Sequence, residues 1–220
     1  MKKLNYLILI FIISCSSQTL ISQESKKDFS EVLDTYYLEK DINLIENTIK
    51  FLNDSNNDYD NLEPLITGFY GALFLKYPEI KKEFKSNIEK IKEEKFRNLI
   101  ITLTTTNIKN LMNKFPISPS YNDMNWSAFF STGENKYLEL ILNNTPKAEN
   151  RIDLNLFLTG ASAKWSLCSN ANQHKKVKYF LETTSNHKEI ANEILNSYPV
   201  DFRNQLVEII KEQRSKGIWN

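Results

Sequence analysis

A chain of 220 residues with 41% hydrophobic and 25% charged side chains can enclose a core of ordinary size, and that balance excludes wholesale disorder. Only 5 glycines disfavour turn-rich β folds and glycine-rich phosphate loops. The formal net charge is +1, and removing residues 1–14 takes away Lys2 and Lys3 but no acid. That leaves 26 basic against 27 acidic residues, so no excess of positive charge draws the body toward nucleic acid or anionic lipid.

The first stretch reads as an address. Met1-Lys2-Lys3 is a short basic start, and residues 4–13 are an apolar run of signal-peptide length, too short to span a bilayer comfortably. Ile12-Ile13-Ser14-Cys15-Ser16-Ser17 follows. This resembles the lipobox of bacterial lipoproteins, where a small residue precedes Cys at the end of the apolar run. The resemblance implies cleavage before Cys15 and acylation of its thiol and new amino group. Several acyl chains on one residue anchor stably where a single chain does not. Ser16, in place of an acidic residue there, implies by the same resemblance the outer membrane. The alternative is an ordinary secretory signal with an incidental Cys. The expected organisation is a signal peptide over 1–14, a flexible polar tether over 15–26 and one all-helical domain over 27–220. With Cys15 acylated, Cys168 is left alone and no internal disulfide forms. On an apolar helix face, its thiol is expected to be buried and inert.

From residue 28 to about 214 the period is helical. Phe29, Val32, Leu33, Tyr36 and Tyr37 mark a first amphipathic segment. Asp41 is a candidate cap for a second, with Ile42, Ile45, Ile49 and Leu52 on its inner face. Residues 53–61 are rich in Asp and Asn, but they lack the central Gly and terminal Glu of a calcium loop and read as a solvated connector. The helix through Leu65 to Phe74 carries Gly68, Gly71 and Ala72 on one side, which predicts a close crossing there. Pro78 suits the first turn of the next helix. A stripe then runs from Phe96 to Met112, weakened at Thr104-Thr105-Thr106 by β-branching.

Pro116 and Pro119 predict a connector over 113–123. A helix from Asn125, a left-handed cap at Gly133 and a helix through Tyr137, Leu138, Ile141 and Leu142 follow. Residues 152–172 place Leu154, Phe157, Leu158, Ala161, Trp165 and Cys168 on one face, with Leu156, Ala163 and Leu167 apolar off it. A helix apolar on more than one side is buried among others, so this segment is the expected central post. Asn186 with Glu189 reads as a capping box, and Pro199 opens a last helix with Phe202, Leu206, Ile209 and Ile210 inward. The fold class expected is all-α: a solenoid of antiparallel helix pairs, tetratricopeptide- or HEAT-like, with an irregular helical bundle as the alternative.

Trp126-x-x-Phe129-Phe130-x-Thr132-Gly133-Glu134-x-x-Tyr137-Leu138 and Ala163-x-Trp165-Ser166-Leu167-x-Ser169-Asn170-Ala171-x-x-His174-x-x-Val177 together resemble a group of uncharacterised exported bacterial proteins with helical-hairpin repeats. The resemblance implies a helical-repeat fold and no established activity, and it brings no catalytic residues.

His174 and His187 are the only histidines and lack the i, i+4 spacing of a helical zinc pair. Ser166 and Ser169 lie near His174 in sequence, but read more simply as helix-surface and turn residues. Neither a Gly-x-Ser-x-Gly elbow nor a P-loop occurs. No catalytic, cofactor-binding or metal residue is singled out; Cys15 is the one expected site, for lipid. Trp126, Phe129, Phe130 and Trp165 fit core positions at helical spacing. Trp219 is either docked back or offered to a partner. The expected function is a lipid-anchored envelope protein, held at the membrane through its lipid, that binds a protein or peptide and does not bind nucleic acid. The alternatives are a cell-wall glycan- or peptide-processing enzyme, in which two acids meet in a cleft, and a toxin-immunity lipoprotein.

Overall fold

The computed structural model describes residues 29–54 and 57–219. The signal, lipobox and tether readings, with Cys15, fall on residues outside the described ones. Among the described residues twelve α-helices follow in order: α1 (Phe29–Thr35), α2 (Leu44–Leu52), α3 (Tyr59–Lys76), α4 (Pro78–Lys85), α5 (Glu94–Thr105), α6 (Ile108–Asn113), α7 (Pro119–Thr132), α8 (Asn135–Leu142), α9 (Leu154–Gln173), α10 (Lys175–Thr183), α11 (Lys188–Leu195) and α12 (Pro199–Ser215). Two 3-10 turns, Ile88–Lys90 and Thr145–Glu149, complete the set, and no strand occurs among the described residues. The fold class is all-α. No described helix is long and apolar enough to cross a membrane.

Short polar side chains start these helices by accepting from otherwise unpaired backbone N–H groups. Asn107 accepts from Asn110 N at 3.1 Å, and Asp153 from Leu156 N at 3.0 Å. Pro78, Pro119 and Pro199 each open a helix, where a missing N–H costs nothing. Gly133 closes α7 in the left-handed region, at φ 69°, as expected.

Four boundaries differ from the sequence reading, each for a local reason. The stripe over 96–112 breaks into α5 and α6. Thr104, Thr105 and Thr106 turn their hydroxyls back onto the carbonyls of Ile100, Ile101 and Thr102, and Asn107 then caps afresh. The connector expected over 113–123 shortens, because Ser118 caps Tyr121 N at 3.2 Å and α7 begins at Pro119. Asp41 does not cap α2 directly. Its carboxylate holds Asn43 N and the Asn47 amide in a turn just before Leu44, and Ile42 is left 95% exposed, not inward. The Asn186–Glu189 capping box does not form. Asn186 donates to Asn143 Oδ1 at 2.8 Å, and His187 precedes α11 at φ 48°.

The most extensive helix pairing is α3 on α7. Its close approach rests on Gly68, where an added Cβ would lie 1.9 Å from the Met124 carbonyl oxygen. Gly71 meets a different neighbour, the Met112 and Ile108 side chains of α6. Around this crossing, Phe69, Tyr70, Phe74 and Phe84 pack in edge-on and tilted pairs with centroids 5.0 to 5.9 Å apart. Tyr70 is fully buried with its hydroxyl bonded to Thr48, and burial pushes its pKa up.

The expected central post, α9, organises the C-terminal part, touching α7, α8, α10, α11, α12 and the Thr145–Glu149 turn. It shares the centre with α3 and α7, since Leu154, Leu158 and Trp165 on its inner face are only partly buried. Gly160 lets the 3-10 turn cross, with a Cβ there meeting Ala148 N at 1.9 Å. Asn122 ties these parts from inside. Its amide donates to Thr159 O at 2.8 Å and Ser162 Oγ at 2.9 Å, and its oxygen accepts from Asn144 at 2.8 Å.

Candidate functional site

The two motifs singled out in the sequence meet in space. Trp126 Nε1 donates to Ser166 Oγ at 2.9 Å, and the His174 ring lies 5.1 Å from that of Phe130. Trp126, Phe129 and Phe130 are buried, so they form core and not an exposed recognition face. His174 joins α9 to α10, and its Nδ1 shares a hydrogen bond with Tyr37 Oη at 3.0 Å. Burial lowers the imidazole's pKa.

Ser166 therefore serves Trp126, and Ser169 accepts from Gln173. Neither is hydrogen-bonded to His174, so the nucleophile–base contact of a hydrolase is not made. Cys168 is buried and its Sγ donates to Ser197 O at 3.2 Å, while desolvation raises its pKa. A thiol held protonated in this way is a poor nucleophile. Among the described residues no three His, Cys, Asp or Glu side chains are placed to hold a metal ion.

Trp219, undecided from sequence, is docked. It is 3% exposed, packs in a tilted pair on Phe157 with ring centroids 4.8 Å apart and donates from Nε1 to Ile152 O at 3.0 Å. It therefore belongs to a small second core with Phe157 and Ala161.

The concave site lies elsewhere, where the 3-10 turn, α9 and α11 converge. Thr145, Pro146 and Glu149 form one wall, Glu189, Ile190 and Glu193 the other, and Lys164 the floor of an open cleft of about 260 Å³. Three features of the sequence position these groups. Gly160 brings the turn hard against α9, one helical turn before Lys164. The Asn186–Asn143 bond fixes the start of α11 against the end of α8. The spacing of Glu189 and Glu193 puts both carboxylates on one face of α11.

The Lys164 side chain is only 11% exposed. Its ammonium donates to Glu193 at 3.0 and 3.3 Å and lies 3.8 Å from Glu149. Arg151 reaches Glu149 from outside the cleft, at 3.3 Å. Among the described residues no cation lies within ion-pair distance of Glu189. The cleft thus carries three carboxylates against one ammonium, over the apolar surface of Ile190 and Pro146.

No motif in the sequence marks this cleft. The spacing from Asn186 places Glu189 in a capping box that does not form. The one available signal was Lys164 itself, a cation within the otherwise apolar and small-residue stretch Thr159–Leu167. Away from the cleft, Asp123 on α7 is partly buried and has no ion-pair partner among the described residues. Desolvation pushes its pKa up to about 7.

No known protein family, curated protein or solved structure matches the chain.

Proposed function

We propose that this protein is a lipid-anchored protein of the bacterial envelope that binds a peptide or protein segment without transforming it. The observation that carries the reading is the cleft over Lys164. At about 260 Å³ it lies below the ~300–1,000 Å³ typical of small-molecule pockets, and suits one side chain of a larger partner. The anchor rests on the lipobox resemblance at Cys15. Of the two helical arrangements, the packing of α1 and α3 on α7, across the intervening helices, supports the irregular bundle over the solenoid, since solenoid units contact only their neighbours.

Two measurements test this. Mass spectrometry of the mature amino terminus should find an acylated Cys15; an unmodified Cys15 removes the anchor. A photo-reactive side chain at position 146, on the cleft rim, should yield discrete adducts in intact envelopes. Recovery of no partner counts against binding. The cluster of Glu149, Glu189 and Glu193 also favours a second reading, a glycan- or peptide-processing enzyme. If cell-wall hydrolysis is found and Glu149→Gln, Glu189→Gln and Glu193→Gln all leave it intact, that reading falls.

A further inference from the structure

We infer that the cleft accepts the basic side chain of a lysine or arginine presented by the partner segment. The inference rests on the binding reading above and names what occupies the site. Its starting point is Lys164, which already fills part of the cleft with an alkylammonium of this chain's own. Glu193 takes that ammonium at 3.0 Å and Glu149 stands 3.8 Å from it. The walls are therefore arranged around a cation. One more cation is matched by what remains: Glu189 has no cationic partner among the described residues, and Ile190 and Pro146 line the same space with apolar surface. A lysine or arginine carries both parts, an aliphatic stem for Ile190 and Pro146 and a charged head for Glu189. An acidic segment meets three carboxylates and is repelled. A purely apolar side chain leaves Glu189 without a cationic partner. The cleft's modest volume sets the scale at one side chain, and Glu149 and Glu193, with side chains 70% and 40% exposed, lie open to the approaching chain.

The test uses full-length protein in detergent micelles with labelled isoleucine methyl groups, and penta-lysine amide, penta-arginine amide and penta-glutamine amide as probes. The Ile190 methyl resonance should shift saturably with both basic probes and not with penta-glutamine, while exposed Ile42, Ile152 and Ile218 stay in place. Glu189→Gln should weaken penta-lysine binding about two- to fivefold, the range of a solvent-accessible ion pair. Lys164→Met keeps the stem but removes the resident ammonium, and should tighten penta-lysine binding by a similar factor. A purely structural role for Lys164 predicts no such gain. Equal shifts with penta-glutamine, no shift with the basic probes, or unchanged affinity in Glu189→Gln would overturn the inference. Discrete adducts from position 146 alongside a failed titration would remove the basic occupant and leave the binding reading standing.

Discussion

Gly68→Ala is the sharpest test of the packing at the centre of the molecule. The added Cβ would sit 1.9 Å from Met124 O, 2.7 Å from its carbonyl carbon and 3.0 Å from its Cα. All three are backbone atoms of α7, so no rotamer change relieves the clash. To restore even a 3.0 Å contact, α3 and α7 must part by about 1 Å, and gaps of that size forfeit roughly a quarter to a half of each dispersion contact they open. Overpacking costs ~1–3 kcal/mol, and a backbone-on-backbone clash belongs at or above the top of that range. Replacing a helical Gly by Ala returns about 1 kcal/mol of propensity. The expected net loss is about 2–3 kcal/mol, a fall in Tm of roughly 4–12 °C for a chain of this size. Gly71→Ala is the internal control. Its Cβ meets the Met112 sulfur at 2.9 Å, the mobile end of a flexible side chain, so its stability should change by less than about 1 kcal/mol. Urea denaturation followed by far-UV circular dichroism measures both. A Gly68→Ala midpoint at or above that of the parent, or equal losses at the two glycines, would refute the crossing as described.

Three other outcomes follow from buried groups. Asp123 holds its proton in the folded protein up to about pH 7, against 3.8 in the unfolded chain. Stability therefore falls as pH rises through that window; Asp123→Asn should stabilise by about 2 kcal/mol at pH 8, after discounting for partial exposure, and by almost nothing at pH 3. His174 acts in the opposite sense. Its folded pKa lies below 6.5, so stability is full above that pH and declines as pH falls below it; His174→Gln should flatten this part of the denaturation profile relative to the parent. Trp219→Ala removes the ring contact with Phe157 and a hydrogen bond to Ile152 O, and should cost roughly 2–4 kcal/mol. Hydrogen exchange should speed up in α12 first, and unchanged protection there would show that the indole is not docked.

Local chemistry was legible in the residues. Apolar spacing gave helices throughout, because a helix must hide a 3.6-residue stripe wherever it packs. Pro78, Pro199 and Gly133 marked element ends through backbone geometry that other residues cannot match. Trp126, Phe129 and Phe130 declared themselves core by position. Gly68 and Gly71 announced close approach, but not that one faces α7 and the other α6. Periodicity says what a segment conceals. It does not say which distant segment conceals it, since that depends on how the described helices close around one another.

The cleft belongs wholly to this second kind of information. Its walls come from 145–149 and 189–193 and its floor from Lys164, and no spacing in the chain relates them. Tertiary packing brought them together when Gly160 admitted the 3-10 turn and Asn186 reached Asn143 in place of capping its own helix. An asparagine near a helix start has two competing uses, a local backbone N–H or a distant side chain, and only the folded neighbourhood decides between them.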